Sequence, residues 1–296
     1  MYAVVTETSA FLYDCSHSSV VDEVLCSWAL EILKGSLADA YLLVRTHYGY
    51  EGWIKSCLVK AVSAETLKER DESEKLAVII KPFSDVLSEP KVQGRIIKTL
   101  SRGSYVEVLD AAGNDYEEIQ LPDGQHGYVP VSAIGHRQDS DAYIYNKEKD
   151  FKTQNGLRLA WENEESFRKA VVETAKAWMG TQYRWGGRSS AGIDCSGLMS
   201  MSYMMNGVLI YRDAVVHEDF PVHRIRFEDK KPGDLIFFPG HVAMSIGNGR
   251  YIHSTGYKES FGVCVNSFDP RDRLYRPDLA GKVISVGSIF LPAGTA

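Results

Sequence analysis

One stretch carries the strongest signal in this chain: Tyr183-Arg-Trp-Gly-Gly-Arg-Ser-Ser-Ala-Gly-Ile-Asp-Cys195-Ser-Gly197. It sets one cysteine after a glycine-rich loop and before an apolar segment that predicts a helix. At a helix N-terminus, unpaired backbone N–H groups and the helix dipole favour negative charge. We therefore expect the thiolate of Cys195, the form of a cysteine that attacks carbonyl groups, to be favoured.

Two histidines follow Cys195 in segments that predict strands, His241 and His253. They flank Asn248-Gly249, a dipeptide typical of two-residue hairpin turns. Such a turn places His253 opposite Met244, so strand curvature or a bulge is needed to bring the two rings into line. A nucleophile, a base and an orienting group in this order predict a cysteine hydrolase or acyltransferase.

The composition is that of an ordinary globular protein, with 296 residues, 44% hydrophobic and 24% charged. The net charge of -6 argues against a nucleic-acid binder, because neutralising phosphates requires clustered Lys and Arg. No run of Lys or Arg indicates a membrane-binding patch, and no apolar stretch approaches the length of a membrane span. We therefore expect neither nucleic acid nor membrane as a partner.

The five cysteines are odd in number and form no CxxC pair, so the sequence predicts neither a zinc site nor a disulfide framework. Cys15, Cys26 and Cys57 lie in apolar, strand-like surroundings and are predicted to be small buried hydrophobes. The N-terminus lacks the features of a secretory signal, which predicts a cytoplasmic protein; export is the alternative if a signal peptide has been removed. No motif calls for a metal or an organic cofactor.

Two similar segments, about 3–59 and 77–134, occupy the first half of the chain. Each consists of short β-rich runs broken by turn residues, and their ends align as Gly52-Trp-Ile over Gly127-Tyr-Val. A repeat of this kind predicts two small β-barrels, with domains at 1–62 and 74–136. The β-rich pattern of the first segment is interrupted at 21–33, which fits either an amphipathic helix or a strand–turn–strand. We prefer the strand–turn–strand because the second segment requires one at the corresponding place.

The remaining segments predict linkers and a third domain. Charged residues at 63–75 predict an exposed linker, and a second linker spans about 136–153. The third domain, 155–296, begins with a predicted helix over 164–179, where apolar residues recur at spacings of three and four. A second helix is predicted over 196–205, followed by strands that start at 235, 241 and 250. Helices first and an antiparallel sheet after predict an α+β fold.

Four motifs give the third domain a specific resemblance: the Tyr183–Gly197 stretch, Pro232-Gly-Asp-Leu, Gly240-His-Val-Ala and Tyr251-Ile-His253. Over about 160–290 the chain resembles the NlpC-type family of papain-like bacterial cell-wall peptidases. The resemblance implies that Cys195 is the nucleophile, that His241 is the general base and acid, and that His253 orients His241. The two N-terminal segments resemble bacterial SH3-like domains, which strengthens the match.

That architecture resembles the γ-D-glutamyl-L-diamino acid endopeptidases, which cut stem peptides between D-Glu and the diamino acid when a free L-Ala amine lies at the front. The resemblance implies peptidoglycan stem peptides, L-Ala-γ-D-Glu-diamino acid, as substrate. The absent signal and the unpaired cysteines favour a role in murein peptide recycling, and we expect a monomer without a cofactor. The implied substrate-binding residues are Tyr183, Trp185, Asp194, Ser196, Asp213, Glu23 and Tyr50.

The resemblance also suggests individual roles for some of these residues. The Tyr183 hydroxyl is expected to join the backbone N–H of Cys195 in binding the oxyanion. Asp194 and Ser196 are expected to bind substrate amides or the D-Glu carboxylate, while a helix N-cap is the alternative role for Asp194. Asp213, in the segment Arg212-Asp-Ala, is the candidate partner of the free ammonium group.

Other assignments stay open at this point. Tyr48 competes with Tyr50 as the tyrosine contributed by the first SH3-like domain, and His217 stands where family members often carry Gln. Two further functions compete with a peptidase: a non-catalytic peptidoglycan-binding module, and a thiol acyltransferase or amidase on the same fold. The sequence leaves open whether diaminopimelate or Lys follows D-Glu in the substrate.

Overall fold

The computed structural model describes residues 1–73, 75–112, 115–136 and 163–290. These residues form two compact units. The first contains the described part of 1–136 together with Arg188–Ala191, and the second contains 163–187 and 192–290. The predicted start of the third domain at 155 and nearly all of the second predicted linker lie outside the described residues. No described helix is both long and apolar enough to cross a membrane.

The first unit begins with a seven-stranded antiparallel sheet. Its strands are β1 (Tyr2–Val5), β2 (Ser9–Tyr13), β3 (Val20–Leu25), β4 (Ala29–Lys34), β5 (Tyr41–Thr46), β6 (Glu51–Lys55) and β7 (Val59–Val62), in the order β3-β2-β6-β5-β4-β1-β7. The predicted strand–turn–strand over 21–33 is confirmed, since β3 and β4 occupy it. Ser27, at φ 64°, forms the tight turn between them.

A second seven-stranded sheet repeats this pattern. Its strands are β8 (Leu76–Ile79), β9 (Phe83–Leu87), β10 (Ile96–Ser101), β11 (Tyr105–Ala112), β12 (Tyr116–Gln120), β13 (His126–Pro130) and β14 (Ile134–His136). Their order, β10-β9-β13-β12-β11-β8-β14, is the order of the first sheet shifted by seven strands. Within the described residues both orders are open, so strand pairing does not close the predicted barrels. The predicted repeat is confirmed as two β-sheets with the same strand order, and their assignment as SH3-like domains stays a prediction.

The predicted exposed linker at 63–75 instead contains a helix, α1 (Ala64–Glu72). Its N-cap is Ser63, whose side chain accepts a hydrogen bond from the backbone N–H of Thr66 at 2.9 Å. Leu67 is buried against a small cluster that includes Tyr2 and Val4. The cap at Ser63 and the burial of Leu67 favour this helix, which the run of charged residues did not indicate in the sequence.

The cysteine prediction for this unit is correct only for Cys26, which is fully buried in the core around the second sheet. Cys15 and Cys57 are exposed. Both lie outside the strands, Cys15 in the turn after β2 and Cys57 in the single helical turn Ser56–Leu58.

The second unit is α+β, as predicted. It contains α2 (Glu164–Lys176), α3 (Cys195–Met204), the short strand β16 (Gly192–Ile193) and a six-stranded sheet. The sheet strands are β17 (His223–Ile225), β18 (Leu235–Phe238), β19 (His241–Gly247), β20 (Arg250–Thr255), β21 (Gly262–Ser267) and β22 (Ser285–Ser288), in the order β17-β22-β18-β19-β20-β21. Every residue of α3 is buried, and α3 packs on α2, β19 and β20. A buried α3 explains the methionines as core residues, as predicted.

We predict that Gly197→Ala destabilises the protein by about 1–3 kcal/mol, because the site is already close-packed. A Cβ at this position would overlap the carbonyl oxygen of Gly187 and lie 2.9 Å from Asp194 Oδ1. Urea denaturation measures the change. Gly256→Ala is the control, since its Cβ would meet the Tyr183 ring at an ordinary 3.5 Å. Equal stability of the two variants would contradict the close approach of Gly197 in α3 to the backbone at Gly187.

Candidate active site

Cys195 is the first residue of α3 and is only 7% exposed. The preceding Asp194 caps the helix, because its Oδ1 accepts the backbone N–H of Gly197 at 2.6 Å. Backbone N–H groups of Ser196 and Val242 are directed at the sulfur and favour the thiolate, but burial outweighs them and raises the pKa of the thiol to about 11. The expected thiolate is therefore not the resting form, and Cys195 is a neutral thiol at pH 7.

The two histidines are hydrogen-bonded to each other: His241 Nε2 lies 2.7 Å from His253 Nδ1. The predicted register was wrong by one residue. Met244 pairs with Ile252, not with His253, because a bulge at Ile246 adds one residue to β19 before the turn. In this register His253 on β20 lies opposite the residue of β19 that is two positions after His241. Since side chains alternate across a sheet, the bulge puts both rings on one face.

Burial lowers the pKa of His241 to about 4, and the neighbouring Arg276 charge adds to the effect. Burial also lowers the pKa of His253 to about 3, with His241 contributing. Both imidazoles are therefore neutral at pH 7. His253 Nε2 contacts Asn266 Oδ1 at 2.8 Å, so three side chains, His241, His253 and Asn266, are linked in series by hydrogen bonds.

Asn266 was not predicted from the sequence, since no motif marks it. It lies on β21, two residues beyond Cys264, and Cys264 pairs directly with His253. Residues two apart on a strand share a face, so Asn266 reaches His253 on a diagonal. Only the register of β20 and β21 could have identified it.

Asp194 belongs to a buried polar network. Arg212, 2% exposed, donates to Asp194 Oδ1 at 3.1 Å, to Asp194 Oδ2 at 2.9 Å and to Ser196 Oγ at 2.7 Å. Asp194 Oδ2 also accepts the backbone N–H of Gly186 at 2.9 Å. The N-cap alternative for Asp194 is thus confirmed. Arg212, which the sequence indicated only as the neighbour of Asp213, is the centre of this network.

Tyr183 is half-buried close to Cys195. Burial, with the nearby Cys195 and Asp194 as further causes, raises the pKa of its hydroxyl, so the hydroxyl is a neutral hydrogen-bond donor at pH 7. Trp185, two residues on, is 69% exposed. Tyr183 therefore has the chemistry expected of an oxyanion donor, and Trp185 presents a large apolar surface to solvent.

Asp213 is half-buried and accepts a hydrogen bond from the Tyr211 hydroxyl. It lines a small cavity whose wall also includes Ser196 and Val242, the residues that directly follow Cys195 and His241 in sequence. A carboxylate therefore lies in the wall of a cavity that is lined by the sequence neighbours of Cys195 and His241, and not by Cys195 or His241 themselves.

Glu23 belongs to the first unit and is fully buried. Its Oε2 accepts the backbone N–H groups of Arg188 at 2.7 Å and Ser189 at 2.9 Å, the residues of β15 (Arg188–Ser189), which is grouped with this unit. Two donors on one carboxylate oxygen hold Glu23 against β15.

Tyr48, not Tyr50, is the tyrosine buried in the same cluster. Its hydroxyl donates to Asp22, which also binds Arg188 Nε at 2.8 Å. The Arg188 guanidinium lies over the Tyr48 ring, 4.3 Å from its centroid. Tyr50 is half-exposed, in the turn before β6. The roles of Glu23 and Tyr50 toward substrate stay predictions.

We predict that His241 titrates at about pH 4, well below the ordinary 6.5, when its ring protons are followed by NMR in the folded protein. The folded-state pKa is the lower one, so the unfolded chain binds more protons below pH 6.5. The stability that both histidines contribute is then complete above pH 6.5 and is lost as the pH falls toward 3. A midpoint near 6.5 would show that the ring is not desolvated.

Comparisons with known proteins identify relatives of this chain. Residues 180–268 match the model of the NlpC/P60 family. The chain is 38% identical over 296 residues to dipeptidyl-peptidase 6 of Lysinibacillus sphaericus, covering 98% of this chain and all of that protein. It is 26% identical over 227 residues to a γ-D-glutamyl-L-lysine dipeptidyl-peptidase of Bacillus cereus, covering 74% of this chain and 60% of the relative.

The fold has a solved counterpart. A crystal structure of an NlpC/P60 family protein from Bacillus cereus superimposes with a TM-score of 0.74, over 97% of this chain and 98% of the other. The two sequences are 17% identical, so this likeness shows the shared fold alone.

Proposed function

This chain belongs to the NlpC/P60 family, and from that premise we propose that it hydrolyses the bond between γ-D-Glu and the diamino acid in peptidoglycan stem peptides. The observation that carries the proposal is the placement of Cys195 at the start of α3, with the hydrogen-bonded pair His241–His253 on the adjoining sheet. The name of the Bacillus cereus relative specifies the same γ-D-glutamyl linkage.

The proposed reaction begins with Cys195 as a neutral thiol and His241 as a neutral imidazole. As the Cys195 sulfur attacks the γ-carbonyl of D-Glu, the thiol proton moves to His241, because the pKa values of both groups disfavour a resting ion pair. The carbonyl electron pair moves onto oxygen, where the backbone N–H of Cys195 and the hydroxyl of Tyr183 donate hydrogen bonds. His241 then protonates the leaving amine, and a thioester remains.

Hydrolysis of the thioester completes the cycle. His241, neutral again, takes a proton from water as that water attacks the acyl carbon, and the Cys195 sulfur leaves and regains its proton. The imidazolium of His241 is the only charged form of the ring in this cycle. It forms in a buried site, where its Nε2–H donates a hydrogen bond to His253 Nδ1, with the two nitrogens 2.7 Å apart.

We propose Asp213 as the group that binds the free L-Ala ammonium of the substrate. Its half-buried carboxylate in the cavity wall beside Ser196 and Val242 supports this role, because a charge-assisted hydrogen bond is stronger away from bulk water. We also propose murein peptide recycling in the cytoplasm as the setting. All five cysteines are unpaired thiols, which supports a reducing compartment.

We predict that L-Ala-γ-D-Glu-diaminopimelate is cut after D-Glu, and that its N-acetylated twin is cut about 10–100-fold more slowly, the factor expected for one charged hydrogen bond. Mass spectrometry of timed digests measures both products. The control, Cys195→Ala, should lose turnover and keep its melting temperature. Equal cleavage of both peptides would remove the amine selectivity. Turnover by Cys195→Ala, or cleavage of neither peptide by the unaltered protein, would overturn the proposed reaction.

A second prediction isolates Asp213. Asp213→Asn should raise KM for the free-amine peptide about 10–100-fold and leave the slow rate on the acetylated twin unchanged, because only the former carries the ammonium. Asp219→Asn is the matched control, since Asp219 is an exposed carboxylate of the same segment. An equal loss on both peptides would show that Asp213 supports the fold and not the ammonium.

A further inference from the structure

We infer that Asn266 is a positioning residue that sets the tautomers of both His253 and His241, and so keeps the nitrogen that receives the Cys195 proton unprotonated. The inference rests on the proposed roles of Cys195 and His241. A series of hydrogen bonds runs from Leu274 through Asn266 and His253 to His241, and each contact fixes which atom of the next side chain donates.

The series starts at a carbonyl group that can only accept. The main-chain oxygen of Leu274 lies 3.0 Å from Asn266 Nδ2 and 2.9 Å from the backbone nitrogen of Ser267. Asn266 is buried, 8% exposed, and the reverse orientation of its amide would place two acceptor oxygens 3.0 Å apart, so the N–H₂ group faces Leu274. The amide is therefore held with Oδ1 directed at His253.

Asn266 Oδ1 can only accept, which decides the protonation of His253. The two atoms in contact are Oδ1 and His253 Nε2, 2.8 Å apart, so Nε2 carries the hydrogen. Cys264 donates its S–H to the same oxygen at 3.5 Å, which uses the second lone pair. A neutral imidazole has one N–H, so Nδ1 of His253 is unprotonated.

The unprotonated Nδ1 of His253 then decides the tautomer of His241. The atom 2.7 Å away is His241 Nε2, and it has to donate. Neutral His241 therefore carries its hydrogen on Nε2, and its Nδ1 keeps a free lone pair. Nδ1 is the nitrogen that accepts the thiol proton: the S–H bond breaks, the N–H bond forms, and the sulfur electron pair forms the bond to carbon.

The opposite arrangement would be inactive. If His253 carried its hydrogen on Nδ1, it would donate to His241 Nε2 and force the His241 hydrogen onto Nδ1. No base would then face the thiol. The two neutral tautomers of an imidazole are close in energy, so a single acceptor such as Asn266 is enough to select one of them.

The first test is spectroscopic. Nitrogen-15 NMR of the full chain, labelled at histidine, distinguishes protonated from unprotonated ring nitrogens. At pH 7 we expect both His241 and His253 to be protonated at Nε2 alone. A hydrogen on Nδ1 of His253 in the unaltered protein would overturn the inference. This readout needs no substrate, so it stands apart from the success or failure of the proposed peptidase reaction.

The second test is a set of variants. Asn266→Ala should give a mixture of His253 tautomers and lower kcat about tenfold or more with KM within about twofold, since the wrong tautomer removes the base and not the binding site. Alkylation of Cys195 by iodoacetamide, followed on its tryptic peptide, should slow in parallel. Asn266→Asp offers His253 an oxygen and should restore the Nε2–H tautomer and part of the rate.

The chain offers a matched control in Asn206. This asparagine also donates through Nδ2, to Thr174 Oγ1 at 2.9 Å and to the Ser202 carbonyl at 2.8 Å, and does so within the same unit. Asn206→Ala should lower the melting temperature without altering the histidine tautomers or kcat. If Asn266→Ala keeps the tautomers and kcat of the unaltered protein, or if Asn206→Ala changes the tautomers equally, Asn266 has no positioning role.

Discussion

The second unit depends on the buried ion pair between Arg212 and Asp194. One carboxylate caps α3 through Gly197, holds the loop at Gly186 and binds the guanidinium at both oxygens. Removing one partner of such a pair typically costs about 3–5 kcal/mol, because the other charge is left buried and uncompensated. The position of Cys195 follows from this arrangement, since Cys195 is the residue next to the cap.

The sequence was most informative where a local rule was sufficient. Turn residues and a shared end pattern predicted the repeated strands of the first unit, and apolar spacing predicted α2. It failed where one tertiary contact decided the outcome. Helix α1 forms because Ser63 caps it and Leu67 finds a cluster to bury in, and neither effect is visible in a run of charges. The bulge at Ile246 changed the register of a hairpin whose turn was predicted correctly.

The residues of the candidate site also divide into those that a local motif predicts and those that only the fold brings together. Its cysteine and histidines could be predicted because the motif keeps them at recognisable places in the chain. Arg212 and Asn266 could not, because each acts on a residue that is distant in sequence and becomes a neighbour only through the fold. The resting state of Cys195 was mispredicted for a physical reason. The helix N-terminus does favour the thiolate, but desolvation of a thiol that is 7% exposed is the larger effect.

The neutral resting state of the Cys195 thiol affects how fast peroxides can oxidise it. Burial raises the pKa of Cys195 to about 11, so the neutral thiol is by far the dominant form at pH 7. Peroxides oxidise thiolates much faster than thiols, so a site of this kind is intrinsically slow to form a sulfenic acid while it is empty. The buried thiol therefore needs less protection by reductants than a permanently ionised cysteine would, and its reactivity depends on the transfer of its proton to a neighbouring base.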